Sequence, residues 1–250
     1  MRIRKYITID FFLLIFFFVY WMIYNFRYFA GNSTLKSEEI LTIINSDSKG
    51  YFSYIIISTL FTVVYLLCMS NSLLKIKEHE IIRYTKKYFI NKQIFILITQ
   101  TIIYAILFEI INLIMNYITL PYTLLSETKF LFISSIHLIL LFTYFISVGA
   151  IFLLVNCLVS FKSISVWITS IIFCFFLGLY KFFNLEGLLI RDFCVFDKWF
   201  GEGLNIVSIF LSIIKNIIIV LICFLLSKTI FVSKDILDSK SAKSKQYEKE

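Results

Sequence analysis

Six apolar runs, each long enough to cross a bilayer, constrain this chain more than any other feature. They cover residues 11–29, 51–73, 94–118, 130–159, 164–183 and 204–231. A hydrocarbon core about 30 Å thick takes roughly 20 apolar residues of helix to cross. Lipid offers no partner to a backbone N–H or C=O, so only helices and closed barrels span it. Barrel strands would read as segments of about ten residues with alternating polarity. These runs are longer and apolar at both parities. The sequence therefore predicts an all-α integral membrane protein with six transmembrane helices, forming one domain over residues 1–232. The remaining stretch, 233–250, is rich in Lys, Ser and Glu and is expected to be a disordered cytoplasmic tail.

The placement of charge explains the net +8 without nucleic acid. Sixteen Lys and Arg fall before the first run, in 74–93, at Lys162 and from Lys228 onward, against six toward the other side: Lys36, Lys49, Lys129, Lys181, Arg191 and Lys198. Basic residues accumulate on the cytoplasmic side, so both termini are predicted to be cytoplasmic. The first run continues through Tyr20 and Trp21 to Phe29 with no small-residue cleavage site, so a retained helix is expected rather than a signal peptide. The single proline, Pro121, follows the third run, which leaves the helices free of proline kinks. Cys68, Cys157, Cys174, Cys194 and Cys223 form no paired pattern and read as small packing residues.

The connections differ in character. Residues 30–50 are polar and Ser/Asn-rich and are expected to be mobile. Residues 160–163 form a tight inner turn. In 184–203, Leu189, Ile190, Phe193, Phe196, Trp199 and Phe200 interleave with charges, which predicts an amphipathic piece at the outer interface or dipping into it. Residues 74–93 are charged and long enough for about three helical turns. They fit a helix that offers acidic and basic groups to a soluble partner, and equally a solvated loop held inside by its lysines.

In layout the chain resembles the six-helix permease subunits of ABC-2-type transporters, especially the short ones of bacterial peptide export and bacteriocin self-protection. The residues that carry the likeness are the stretch Glu78-His79-Glu80-Ile81-Ile82-Arg83-Tyr84 between the second and third helices, with Lys86 and Lys87 following. It looks like the acidic-then-Arg segment that docks on the ATPase subunit in that family. The resemblance implies a permease in a bacterial cell membrane, working as a homodimer or heterodimer with cytosolic P-loop ATPase subunits. ATP and Mg would enter through those partners, with no cofactor in this chain. The other reading is a non-transporting membrane immunity or scaffold protein that binds a toxin or partner directly.

No catalytic motif emerges. His79-Glu80-Ile81-Ile82-Arg83 begins like a zinc-protease helix, but Arg83 stands where the second His ligand is needed. No glycine-rich phosphate loop is present. Two charges lie deep in runs: Glu109 in the third and Lys215 in the sixth. Each would cost about 2.5–3.5 kcal/mol facing lipid at a helix centre. Their similar depth predicts that they pair or face a common cavity, as a structural contact or part of a substrate path. Thr101, Ala105, Glu109, Asn112 and Asn116 recur at helical spacing and predict one polar or small face. His137 reads as a helix–helix contact ahead of a proton relay.

Overall fold

A computed structural model describes residues 2–29, 35–73, 85–159, 161–183, 189–201 and 203–233. All regular structure among them is helical: α1 (Arg2–Phe29), α2 (Ser37–Ile44), α3 (Tyr54–Ser72), α4 (Lys86–Thr119), α5 (Tyr122–Glu127), α6 (Phe130–Val159), α7 (Lys162–Phe183), α8 (Phe196–Phe200) and α9 (Ile206–Ser233). Six of these, α1, α3, α4, α6, α7 and α9, are long and apolar enough to cross a membrane. The architecture is that of a multi-pass helical membrane protein. Glu78, His79, Glu80, Arg83 and Tyr84, and the tail from 234 onward, lie outside the described residues.

The bundle is organised around α6: 67% of an apolar 18-residue stretch of it is buried, against 17% in α9. Helices α3, α4, α7 and α9 pack around it, and α1 packs on α4. Lipid tails are as apolar as leucine, so helices associate in a bilayer through close packing and small or polar contacts. Accordingly α6 buries Ser134, His137, Thr143, Ser147, Gly149 and Ala150 among its large apolar residues. A Cβ at Gly149 would stand 2.5 Å from the Tyr65 hydroxyl and 3.0 Å from Leu97 Cδ2, so the missing side chain admits α3 and α4.

Helix α4 begins at Lys86, well ahead of the expected 94. The Thr85 hydroxyl accepts the Tyr88 amide at 3.3 Å and caps it. Phe89, Ile90 and Gln93 then extend the buried stripe that runs on through Leu97 and Thr101, while Lys87 points to solvent. Its 34 residues make a rod about 51 Å long, so it outreaches the hydrocarbon core. Helix α3 widens into a π turn at Ile57–Phe61. Side chains take up the carbonyls there: Thr62 Oγ1 donates to Ile57 O at 2.9 Å and Tyr104 Oη to Phe61 O at 2.9 Å. At the end of α3, Lys162 Nζ donates to Ser70 O at 3.1 Å and to Leu73 O, tying the start of α7 to the last carbonyls.

The opposite end of the bundle, carrying α2, α5 and α8, departs most from expectation. Residues 35–50 are built into the bundle: Ile40, Leu41 and Ile44 put one face of α2 into the core, and Asn45 and Asp47 follow them into it. The Glu39 carboxylate accepts the Lys36 amide at 3.0 Å and fixes the start of this helix. The segment 189–201 also packs inward. Ile190, Phe193 and Phe196 are fully buried, with Phe196 stacked on Phe52 at 4.8 Å and Phe193 edge-on to Tyr144. The apolar residues that seemed to ask for lipid find a protein slot instead, so this segment plugs the end of the bundle.

Candidate functional site

Near that plug the structure gathers a cluster of buried polar side chains. Glu109, Asn112 and Asn116 share one face of α4 and are buried at 1%, 0% and 0% exposure. The helical spacing required this. What faces them was not legible from spacing.

Three carboxamides close a ring. Asn45 Nδ2 donates to Asn116 Oδ1 at 3.2 Å, Asn116 Nδ2 to Asn112 Oδ1 at 3.0 Å, and Asn112 Nδ2 to Asn45 Oδ1 at 2.8 Å. Trp21 Nε1 of α1 adds a fourth donor to Asn112 Oδ1 at 3.1 Å, and Asn45 also donates to Leu41 O at 2.9 Å. A buried amide is stable only when its donors and acceptors are occupied. Here each ring member supplies what the next lacks, which pins α2 and α1 to α4.

One turn along α4, Glu109 Oε2 meets His137 Nδ1 of α6 at 2.8 Å, both side chains being buried. The imidazole lies between Phe52, at 4.1 Å, and Phe196, at 5.2 Å. Glu109 Oε1 and His137 Nε2 have no hydrogen-bond partner. So deep in the bundle a lone carboxylate is costly, and the imidazole gives it a hydrogen-bonded partner that joins α4 to α6.

The expected Glu109–Lys215 pair is not formed. Lys215 Nζ bonds instead to Asp192 Oδ1 at 2.7 Å, with the lysine side chain 33% exposed. The reason is rotation about the helix axis. Helix α9 docks through Asn216, Val220, Cys223, Ser227 and Phe231, which leaves Lys215 beside the seam and within reach of the plug. Depth along a helix sets height; it does not set azimuth. Burial raises the Asp192 carboxyl, and Lys215 pulls it back down.

The remaining candidates lie elsewhere. Lys86 Nζ donates to Val232 O at 3.3 Å, joining the starts and ends of α4 and α9, and Lys87 is exposed. Among the described residues no group of three or more His, Cys, Asp or Glu could hold a metal ion. Asn45, Asp47 and Trp21 were missed. The signal for the first two was the amphipathic pattern of Ile40, Leu41 and Ile44 just ahead of them, which carries the polar residues inward. No protein-family model, curated protein or solved structure matches the chain.

Proposed function

We propose that this chain is the membrane-spanning permease subunit of an ATP-driven transporter of the ABC-2 type, in a bacterial cell membrane. The observation that carries this reading is the charged stretch 74–93 continuing into a helix that outreaches the bilayer. Helix α4 starts at Lys86, presents Lys87 and Tyr88 to solvent, and runs unbroken to the buried polar face at Glu109, Asn112 and Asn116. A rigid rod with one end in water and the other in the polar core can transmit a push from a soluble subunit to the bundle interior.

In this reading Glu78, His79, Glu80, Arg83, Tyr84, Lys86 and Lys87 dock on a cytosolic P-loop ATPase, which brings ATP and Mg. A second permease subunit, identical or different, completes the pore. The cargo is a hydrophobic or amphipathic peptide or small molecule. The test is a pull-down of tagged protein from native membranes, comparing wild type with Glu80→Ala/Arg83→Ala. A P-loop ATPase should accompany the wild type and be lost from the variant. A folded wild type that brings down no ATPase would overturn the permease reading and favour direct binding of a toxin or partner.

A further inference from the structure

One of the contacts that hold the plug over the bundle comes from a carboxylate that belongs to neither spanning helices nor plug. Asp47, in the turn after α2, accepts the Asp197 amide through Oδ2 at 3.0 Å, and the Val195 amide also faces it. Its own carbonyl accepts the Tyr54 amide at 2.8 Å, so the turn is anchored on α3. Asp47 is 4% exposed and its Oδ1 has no hydrogen-bond partner. Two more unpartnered atoms, Glu109 Oε1 and His137 Nε2, belong to the buried pair beneath Phe196. Asp47 is thus a buried carboxylate roofed by the plug, with one oxygen unpartnered and His137 acting on it through space.

We propose that the Asp47 carboxyl is a proton-binding site whose occupancy latches the 189–201 segment over this end of the bundle. A buried, half-partnered carboxylate is stabilised by taking up a proton, because the neutral form loses less on leaving water. When the segment lifts, water reaches Asp47 and the incentive disappears. Proton uptake therefore favours the closed arrangement.

The charged and titratable groups around Asp47 set the range. From α6 it faces His137, with Glu109 of α4 behind, and from the plug it faces Asp197. Cys194, in the same segment, faces Asp47 as well as Arg191, Asp197 and Lys198. Burial pushes the Asp47 carboxyl from 3.8 up to about 7, against the downward pull of the Asp197 amide and His137. A group whose closed-state pKa is raised stabilises the closed state fully below its value in water. That contribution is lost as pH rises through about 7. Acid closes the plug and alkali loosens it.

The structure also supplies the reporter. Cys194 is a free, buried thiol inside the plug, and burial holds it well above the ordinary thiol range, so it reacts only when the plug lifts. The experiment uses full-length protein in lipid nanodiscs with Cys194 as the single cysteine, labelled with a maleimide in wild-type and Asp47→Asn backgrounds. Taking the ratio of the two rates at each pH cancels the reagent's own pH dependence. The ratio should rise at least about tenfold between about pH 5.5 and about pH 8.5, because Asn keeps the acceptor without titrating. Hydrogen exchange of amides 189–201 in the wild type, corrected for intrinsic exchange, should lose protection over the same range. It decides the matter if Asp47→Asn does not fold. A flat labelling ratio, or protection unchanged with pH, overturns the proposal. Neither readout involves an ATPase, so the outcome is separate from that of the permease reading.

Discussion

Removing Glu109 or His137 singly should be far more damaging than removing both. The two side chains meet at 2.8 Å with essentially no solvent access. Two unit charges about 4 Å apart interact by about 4 kcal/mol at an effective permittivity of about 20. Stranding one member of a buried pair typically costs about 3–5 kcal/mol, while apolar replacement of both is close to neutral. We therefore expect Glu109→Leu and His137→Leu each to lose about 3 kcal/mol and the double variant no more than about 2, a coupling near 4 kcal/mol. Reversible unfolding in mixed micelles titrated with dodecyl sulfate, followed by circular dichroism, reads all four corners of the cycle. Hydrogen bonds between membrane helices average about 0.6 kcal/mol and reach about 1.7. A coupling in that range would make the contact a neutral hydrogen bond. Losses that add to within about 0.5 kcal/mol would refute the coupled pair altogether.

Two other contacts give sharp tests. Gly149→Val should destabilise the bundle by about 1–3 kcal/mol through overpacking, because its Cβ meets Tyr65 and Leu97; thermal melting in detergent measures the shift. Lys215→Met should loosen the plug by leaving Asp192 buried without its cation, and adding Asp192→Asn should restore much of the loss; protease sensitivity of the 184–203 region tests both.

Spanning helices are legible in a sequence because the bilayer imposes one rule on every residue of a run. The backbone must satisfy itself, and the side chains must tolerate hydrocarbon. That rule separates 130–159 from its neighbours with no knowledge of any contact, and the helix found there is Phe130–Val159. The start of α4 was less legible. The charged stretch 74–93 reads equally as helix or loop until Thr85 is seen capping a helix whose apolar face continues through Phe89 and Ile90.

The functional candidates divide the same way. That Glu109, Asn112 and Asn116 share a face follows from 3.6 residues per turn, which is a property of the chain alone. That Glu109 meets His137, that Lys215 meets Asp192, and that the Asn112 amide closes a ring with Asn45 depend on how each helix is rotated against its neighbours. Rotation is settled by packing across residues far apart in sequence, such as Gly149 of α6 against Tyr65 of α3 and Leu97 of α4. The polar stretch before α3 and the mixed stretch before α9 show the limit most clearly. Each is too short to declare its own burial, and only the slot formed by the other helices turns Asp47 and Phe196 inward. The sequence by itself determined which segments enter the membrane, because solvation acts residue by residue; the tertiary structure decided which polar groups meet there, because partnership needs two surfaces.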